Sequence, residues 1–180
     1  MRLTNTIFVL SFVSTAFGFI LPTGLSDGIY EGSLDATGEP TLNKIGNLTL
    51  PQNRRDLSSP FVAGGSSRPS LARRDQVGCT GRNVEEWRNY DLYRAMENAC
   101  SNNGNFLKAR SFHTIYNGGT YWYVCNYRRE QTGCNFADVY VARNSIVYRC
   151  GSDRTGWDYI SAPDQTFGVD VASAEVCGNL

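Results

Sequence analysis

Histidine is almost missing from this chain: His113 is the only one in 180 residues. Cysteine does not occur before Cys79, nor tryptophan before Trp87. After Arg74 there is one lysine, Lys108, and one proline, Pro163. Each scarcity excludes something. With one imidazole, and no two cysteines separated by only two residues, zinc lacks both its knuckle spacing and its ligands, so no metal site is expected. No Gly-rich phosphate loop and no Gly-x-Ser-x-Gly string occurs. Beyond the first residues no apolar run approaches the roughly 20 needed to span a bilayer. Excess positive charge is absent too. Residues 75–180 carry ten Lys and Arg against twelve Asp and Glu, a formal −2, which does not favour nucleic acid or an anionic membrane.

What is present is unevenly divided at Arg73-Arg74. All six cysteines, all three tryptophans and nine of ten tyrosines follow that pair, and five of six prolines precede it. The chain opens with Arg2, then Ile7–Leu10 and Phe12-Val13, interrupted by Ser11, Ser14 and Thr15. Ala16-Phe17-Gly18 sets small residues at the −3 and −1 positions of a cut after Gly18. Residues 1–18 therefore read as a secretory signal peptide. Residues 19–74 hold seven glycines and five prolines with no cysteine or tryptophan. That punctuation, and little apolar surface to offset ordering entropy, predict a disordered pro-segment. It ends in a dibasic pair next to Asp75, open to a protease if exposed, and Arg54-Arg55 is a second such pair. Both resemble sites cut by kexin-type proteases of the fungal secretory pathway. The sequon Asn47-Leu48-Thr49 offers one glycosylation site, which would leave with the pro-segment.

Residues 75–180 then form one small domain. A domain of this size buries enough surface to fold, but only marginally. Cys79, Cys100, Cys125, Cys134, Cys150 and Cys177, behind a secretion leader, predict three disulfides. Fifteen connectivities are open, and Cys125–Cys134 is the one local option. Asn83 with Glu86 three residues on resembles a capping box. Leu92, Ala95, Met96 and Ala99 recur at helical spacing behind it, up to Ser101-Asn102-Asn103-Gly104. Ser111–Tyr116 and Thr120–Tyr127, joined by Asn117-Gly118-Gly119, predict a hairpin. After Cys134, Asn135 and Asp138 mark a second helix start. Val139, Ala142, Ile146 and Cys150 form its stripe and Gly151 its stop, although the β-branched content also fits a strand. Trp157–Ser161 and Phe167–Val171 close the domain as two strands around Ala162-Pro163-Asp164. The expected class is α+β: an antiparallel sheet with two helices on one face, stapled by disulfides.

The leader, the dibasic end and four strings carry a resemblance. The strings are Gly78-Cys79, Tyr123-Val124-Cys125-Asn126-Tyr127, Cys150-Gly151 followed by Gly156-Trp157, and Cys177 near the end. Over residues 75–180 the layout resembles small cysteine-rich proteins secreted by fungi, candidate effectors among them. In helix-and-sheet order it is similar to a virally encoded killer toxin with a two-helix α/β sandwich. That toxin has more cysteines, so its bridges and target do not transfer and no functional residue is carried over. The resemblance implies a secreted, extracellular, non-enzymatic interaction protein without a cofactor, an effector or toxin-like virulence factor whose partner is an extracellular host protein or glycan.

Sixteen of residues 75–180 are aromatic. Tyr121, Tyr123 and Tyr127 are the candidate contact surface, rimmed by Arg128-Arg129, because exposed Tyr and Trp mark contact faces. Cross-strand packing is the competing explanation for the same residues. The alternative function is a ribonuclease-like one, since Tyr123-Val124-Cys125 is similar to a Tyr-x-Cys string of effectors related to fungal ribonucleases. There His113 would move the proton, with Glu130 or Arg128 beside the phosphate. Against it, that chemistry usually needs a second proton-transfer group. Six bridged cysteines also leave no thiolate nucleophile.

Overall fold

A computed structural model describes residues 18–34, 40–48, 50, 74–101 and 106–178. In chain order the elements are β1 (Phe19–Ile20), β2 (Gly28–Leu34), β3 (Pro40–Gly46), β4 (Arg74–Asn83), α1 (Glu86–Ser101), β5 (Phe106–Leu107) and β6 (Ser111–Asn117). There follow β7 (Thr120–Asn126), β8 (Thr132–Gly133), α2 (Phe136–Cys150), β9 (Arg154–Ile160), β10 (Gln165–Val171) and β11 (Glu175–Val176). Among the described residues seven strands form one antiparallel sheet in the order β3-β2-β6-β7-β10-β9-β4. Two short pairs, β1–β11 and β5–β8, stand beside it. The class is α+β, and three disulfides staple it: Cys79–Cys150, Cys100–Cys134 and Cys125–Cys177.

Local signals account for most of the elements after Asp75. The two runs flanking Asn117-Gly118-Gly119 pair as the hairpin β6–β7, closing at Asn117↔Thr120. Asn135 caps α2: its side-chain oxygen accepts the Asp138 N–H at 3.0 Å, satisfying one free donor of the first turn. The Gly151 N–H closes the other end on the Val147 carbonyl at 2.9 Å. The helical stripe wins over the β-branched content because Val139, Ala142 and Ile146 then reach one core. Helix α1 buries Leu92, Tyr93, Met96 and Cys100 in that same core. Its start differs from expectation. Asn83 is the last residue of β4, paired with Arg154, and the helix begins only at Glu86.

Both helices cover one face of the sheet. Alternation puts Ile115 of β6, Trp122 and Val124 of β7, Phe167 and Val169 of β10 and Ile160 of β9 beneath them. The Trp122 indole donates to Asn89 Oδ1 of α1 at 2.8 Å, which fixes the helix on the sheet. The opposite face carries a second cluster: Phe112, Tyr116, Tyr121, Tyr123 and Cys125 from the hairpin, roofed by Phe19, Leu21, Ala174, Val176 and Cys177. Both faces of the central hairpin are therefore buried.

Two expectations are corrected here. The stretch 19–74 is not wholly disordered, since Phe19–Ile20, Gly28–Leu34 and Pro40–Gly46 are strands and β2 lies directly on β6. Its glycines read as breakers, but Gly32 sits opposite Phe112, and a Cβ there would lie 2.0 Å from that ring. The glycine makes room for an aromatic of the neighbouring strand. The local bridge Cys125–Cys134 does not form either. Cys134 meets Cys100 at the end of α1, and Cys125 reaches Cys177 across the second face.

Candidate functional site

The β1–β11 pair roofs only the β6–β7 half of the second face. Over β7, β10, β9 and β4 that face opens into a cleft of about 670 Å³. Strand register builds its floor. Tyr123, Gly168, Trp157 and Gly78 lie side by side on neighbouring strands. A Cβ on Gly168 would come within 2.4 Å of the Tyr123 ring, and one on Gly78 within 2.4 Å of the Trp157 indole. The two large rings therefore lie over the backbone of the glycine beside them. The next row is Cys125, Thr166, Tyr159 and Gln76. Tyr127 closes one end with its ring 6.4 Å from that of Tyr159, edge-on. Glu175, Val176, Cys177 and Gly178 form the wall, and the Cys125–Cys177 bridge ties that wall to β7.

The polar atoms of the cleft are arranged among these rings. The Tyr159 hydroxyl donates to Asp164 Oδ1 at 2.9 Å, and Glu175 Oε1 accepts the Gly18 N–H at 3.0 Å. Burial pushes the Tyr127 phenol upward, partly offset by its hydrogen bond to Thr166. Burial pushes the Tyr123 phenol up further, and the Asp170 carboxylate adds to it. Both phenols stay neutral across the physiological range. Asp170 itself is engaged: it accepts from Thr80 at 2.9 Å, Arg82 at 3.2 Å and the Val171 N–H at 2.8 Å. The lining thus offers apolar ring faces with neutral hydroxyls, one amide (Gln76), the Asp164 carboxylate engaged by Tyr159, and the Glu175 carboxylate, whose partner is the Gly18 N–H at the end of the expected leader. No family model, curated protein or solved structure matches the chain. Function is therefore read from this chemistry.

The expected site residues separate. Tyr123 is itself only 3% exposed and packs in the second cluster, yet it and Tyr127 both line the cleft. Tyr121 does not; it is fully buried, its ring 4.5 Å from Tyr116 and its hydroxyl 2.5 Å from the Pro22 carbonyl. It packs because residues 18–25 cover it. Arg128 turns to Glu130 at 3.4 Å and to the Ala162 carbonyl at 2.5 Å. His113 lies on the helix side of β6, 9% exposed, with Nε2 3.8 Å from Glu31 Oε1. The carboxylate beside it is thus Glu31 of β2 rather than Glu130. Burial lowers the His113 pKa, and Glu31 opposes that shift. All six cysteines are bridged. Asn47 is exposed just beyond β3. Arg74 opens β4 opposite Ile160, while Arg54, Arg55, Arg73 and residues 1–17 lie outside the described residues. No described helix is long and apolar enough to cross a membrane. Trp157 and Tyr159 were missed as site residues. Their signal was present, because aromatics two apart in a strand share a face.

Proposed function

We propose that this chain is a secreted, non-enzymatic interaction protein, a fungal effector or toxin-like factor cut after Arg73-Arg74, that holds a host glycan in the cleft over β10 and β9. One observation carries the reading: Tyr123, Trp157, Tyr159 and Tyr127 line a single open cleft of about 670 Å³ on a sheet stapled by disulfides. A sugar ring has apolar C–H faces and a rim of hydroxyls. Flat aromatic walls take the first, and Gln76, Thr166 and the Tyr159–Asp164 pair can bond the second. Rigid amphipathic rings supply contact area at low entropic cost. The disulfides support an oxidising, extracellular setting.

Binding to an array of plant cell-wall and surface glycans tests the reading. Trp157→Ala should lose at least about tenfold in affinity, as hot-spot aromatics do, while its melting curve shows a folded protein. Wild-type protein that retains no glycan, but is retained by a host protein through the same residues, would replace the ligand class. A second reading has a specific basis in the His113–Glu31 pair, a proton-transfer group beside a carboxylate. RNA cleavage by the wild type, abolished in a folded His113→Ala variant, would overturn the binding reading in its favour.

A further inference from the structure

Residues 18–48 precede the dibasic pair, and every cysteine follows it. No disulfide joins the two sides, since the bridges are Cys79–Cys150, Cys100–Cys134 and Cys125–Cys177. Yet the leading segment is built into the sheet. Strand β2 pairs with β6 from Gly28↔Tyr116 to Ser33↔Ser111. On the second face Phe19, Leu21 and Tyr30 are 5%, 0% and 4% exposed, and the Phe19 ring stands 4.4 Å from Phe112. On the helix face Ile29 and Leu48 pack against the other cluster. The segment clasps β6 from both sides. Polar contacts hold the same seam: Asp27 accepts from Asn117 at 2.7 Å and from the Gly118 N–H at 3.1 Å. Lys108 meets Glu31 at 2.9 Å, and Leu21 exchanges backbone bonds with Ala174 and Ser173 at 2.9 and 2.7 Å.

We propose that cleavage at Arg73-Arg74 does not release this segment: it remains seated on β6 as a second, non-covalent chain, and the processed protein has two chains. The processing itself is part of the proposed function above, on which this inference rests. The physical reason is what departure would uncover. Strand β6 would become a sheet edge with a row of unpaired backbone groups, a template for association with other chains. Phe112, Tyr116 and Tyr121 would together lose the part of their roof that Phe19, Leu21 and Tyr30 supply, opening an aromatic patch of the kind folded monomers rarely leave exposed. Strand addition to a sheet edge, with backbone bonds for affinity and alternate side chains in pockets, is an established mode of holding a peptide. Here the peptide comes from the same molecule.

The test needs no natural processing. A site for a sequence-specific protease is inserted between Leu50 and Arg73 of the full secreted chain. The protein is cut and passed through gel filtration at micromolar concentration without reductant. Both pieces should elute in one peak at the volume of the uncut protein, and should separate in concentrated urea with all three disulfides intact. Elution of the N-terminal piece alone would overturn the proposal. So would a C-terminal piece that pairs with a second copy of itself through β6. Asp27→Ala, which removes only surface bonds of the seam, should release the piece several-fold faster from cut protein while the uncut variant melts as a folded protein. Leu21→Asp should do so by at least tenfold. Unchanged release in both would count against the clasp. Natural secreted protein that begins only at Phe19 would sink the processing reading, and the engineered cut would still decide this one.

Discussion

At the scale of single residues, His113 shows how neighbours redefine a side chain. Its type suggested proton transfer, but its place in β6 makes it a nearly buried group facing Glu31. Burial lowers its pKa below the ordinary 6.5, Glu31 pulls it back up and Lys108 adds to the lowering. The unfolded chain therefore binds the proton first as pH falls. Stability contributed by neutral His113 is full above about pH 6.5 and is lost as pH drops below that value, down to the lowered native pKa. We expect the melting temperature of the wild type to fall between about pH 7 and about pH 5, with His113→Gln flattening part of that slope. Identical slopes in the two proteins would contradict the assigned cause. Tyr121 and Tyr123, adjacent but for one residue, make a related point. They share a face of β7, yet one is roofed by residues 18–25 and the other floors an open cleft.

At the scale of elements, α2 was readable because its signals are local and agree. Asn135, Asp138, the stripe from Val139 to Ile146 and Gly151 all fall within the helix and its flanks. Asn135→Ala should cost about 1 kcal/mol through the lost cap, and Asn135→Ser should recover most of it. Urea midpoints at unchanged slope would report both, and an Asn135→Ala midpoint equal to the wild type would show that the cap contributes nothing. Strands β2 and β3 were not readable by the same means. Gly28, Gly32 and Pro40 are poor strand residues in isolation. They are tolerated because β3 is an edge and because Phe112 fills the space over Gly32.

At the scale of the whole molecule, each bridge joins distant elements. Cys79–Cys150 ties the outer strand β4 to the end of α2, Cys100–Cys134 ties the end of α1 to the chain before α2, and Cys125–Cys177 ties the C-terminal segment over the second face. Peptide mapping without reduction should recover these three pairs, and alkylation of the folded protein should leave its mass unchanged. Recovery of a Cys125–Cys134 peptide would contradict the fold. Changing Cys125 and Cys177 together to Ser should cost about 2–4 kcal/mol. It should also weaken ligand binding, because the cleft wall at Cys177 and Gly178 loses its anchor.

The chain by itself determined what short range can encode: the hairpin around Gly118-Gly119, the caps of α2 and the stripe of α1. Those signals lie within a turn or two of one another, so neighbouring residues suffice to read them. Tertiary structure alone decided the partners of the cysteines, the second buried face, the entry of Gly28–Leu34 and Pro40–Gly46 into the sheet and the meeting of Tyr123, Trp157 and Tyr159 in one cleft. Each of these depends on strand order and register between segments far apart in sequence, and a one-residue slip in register would send the same side chains to the opposite face.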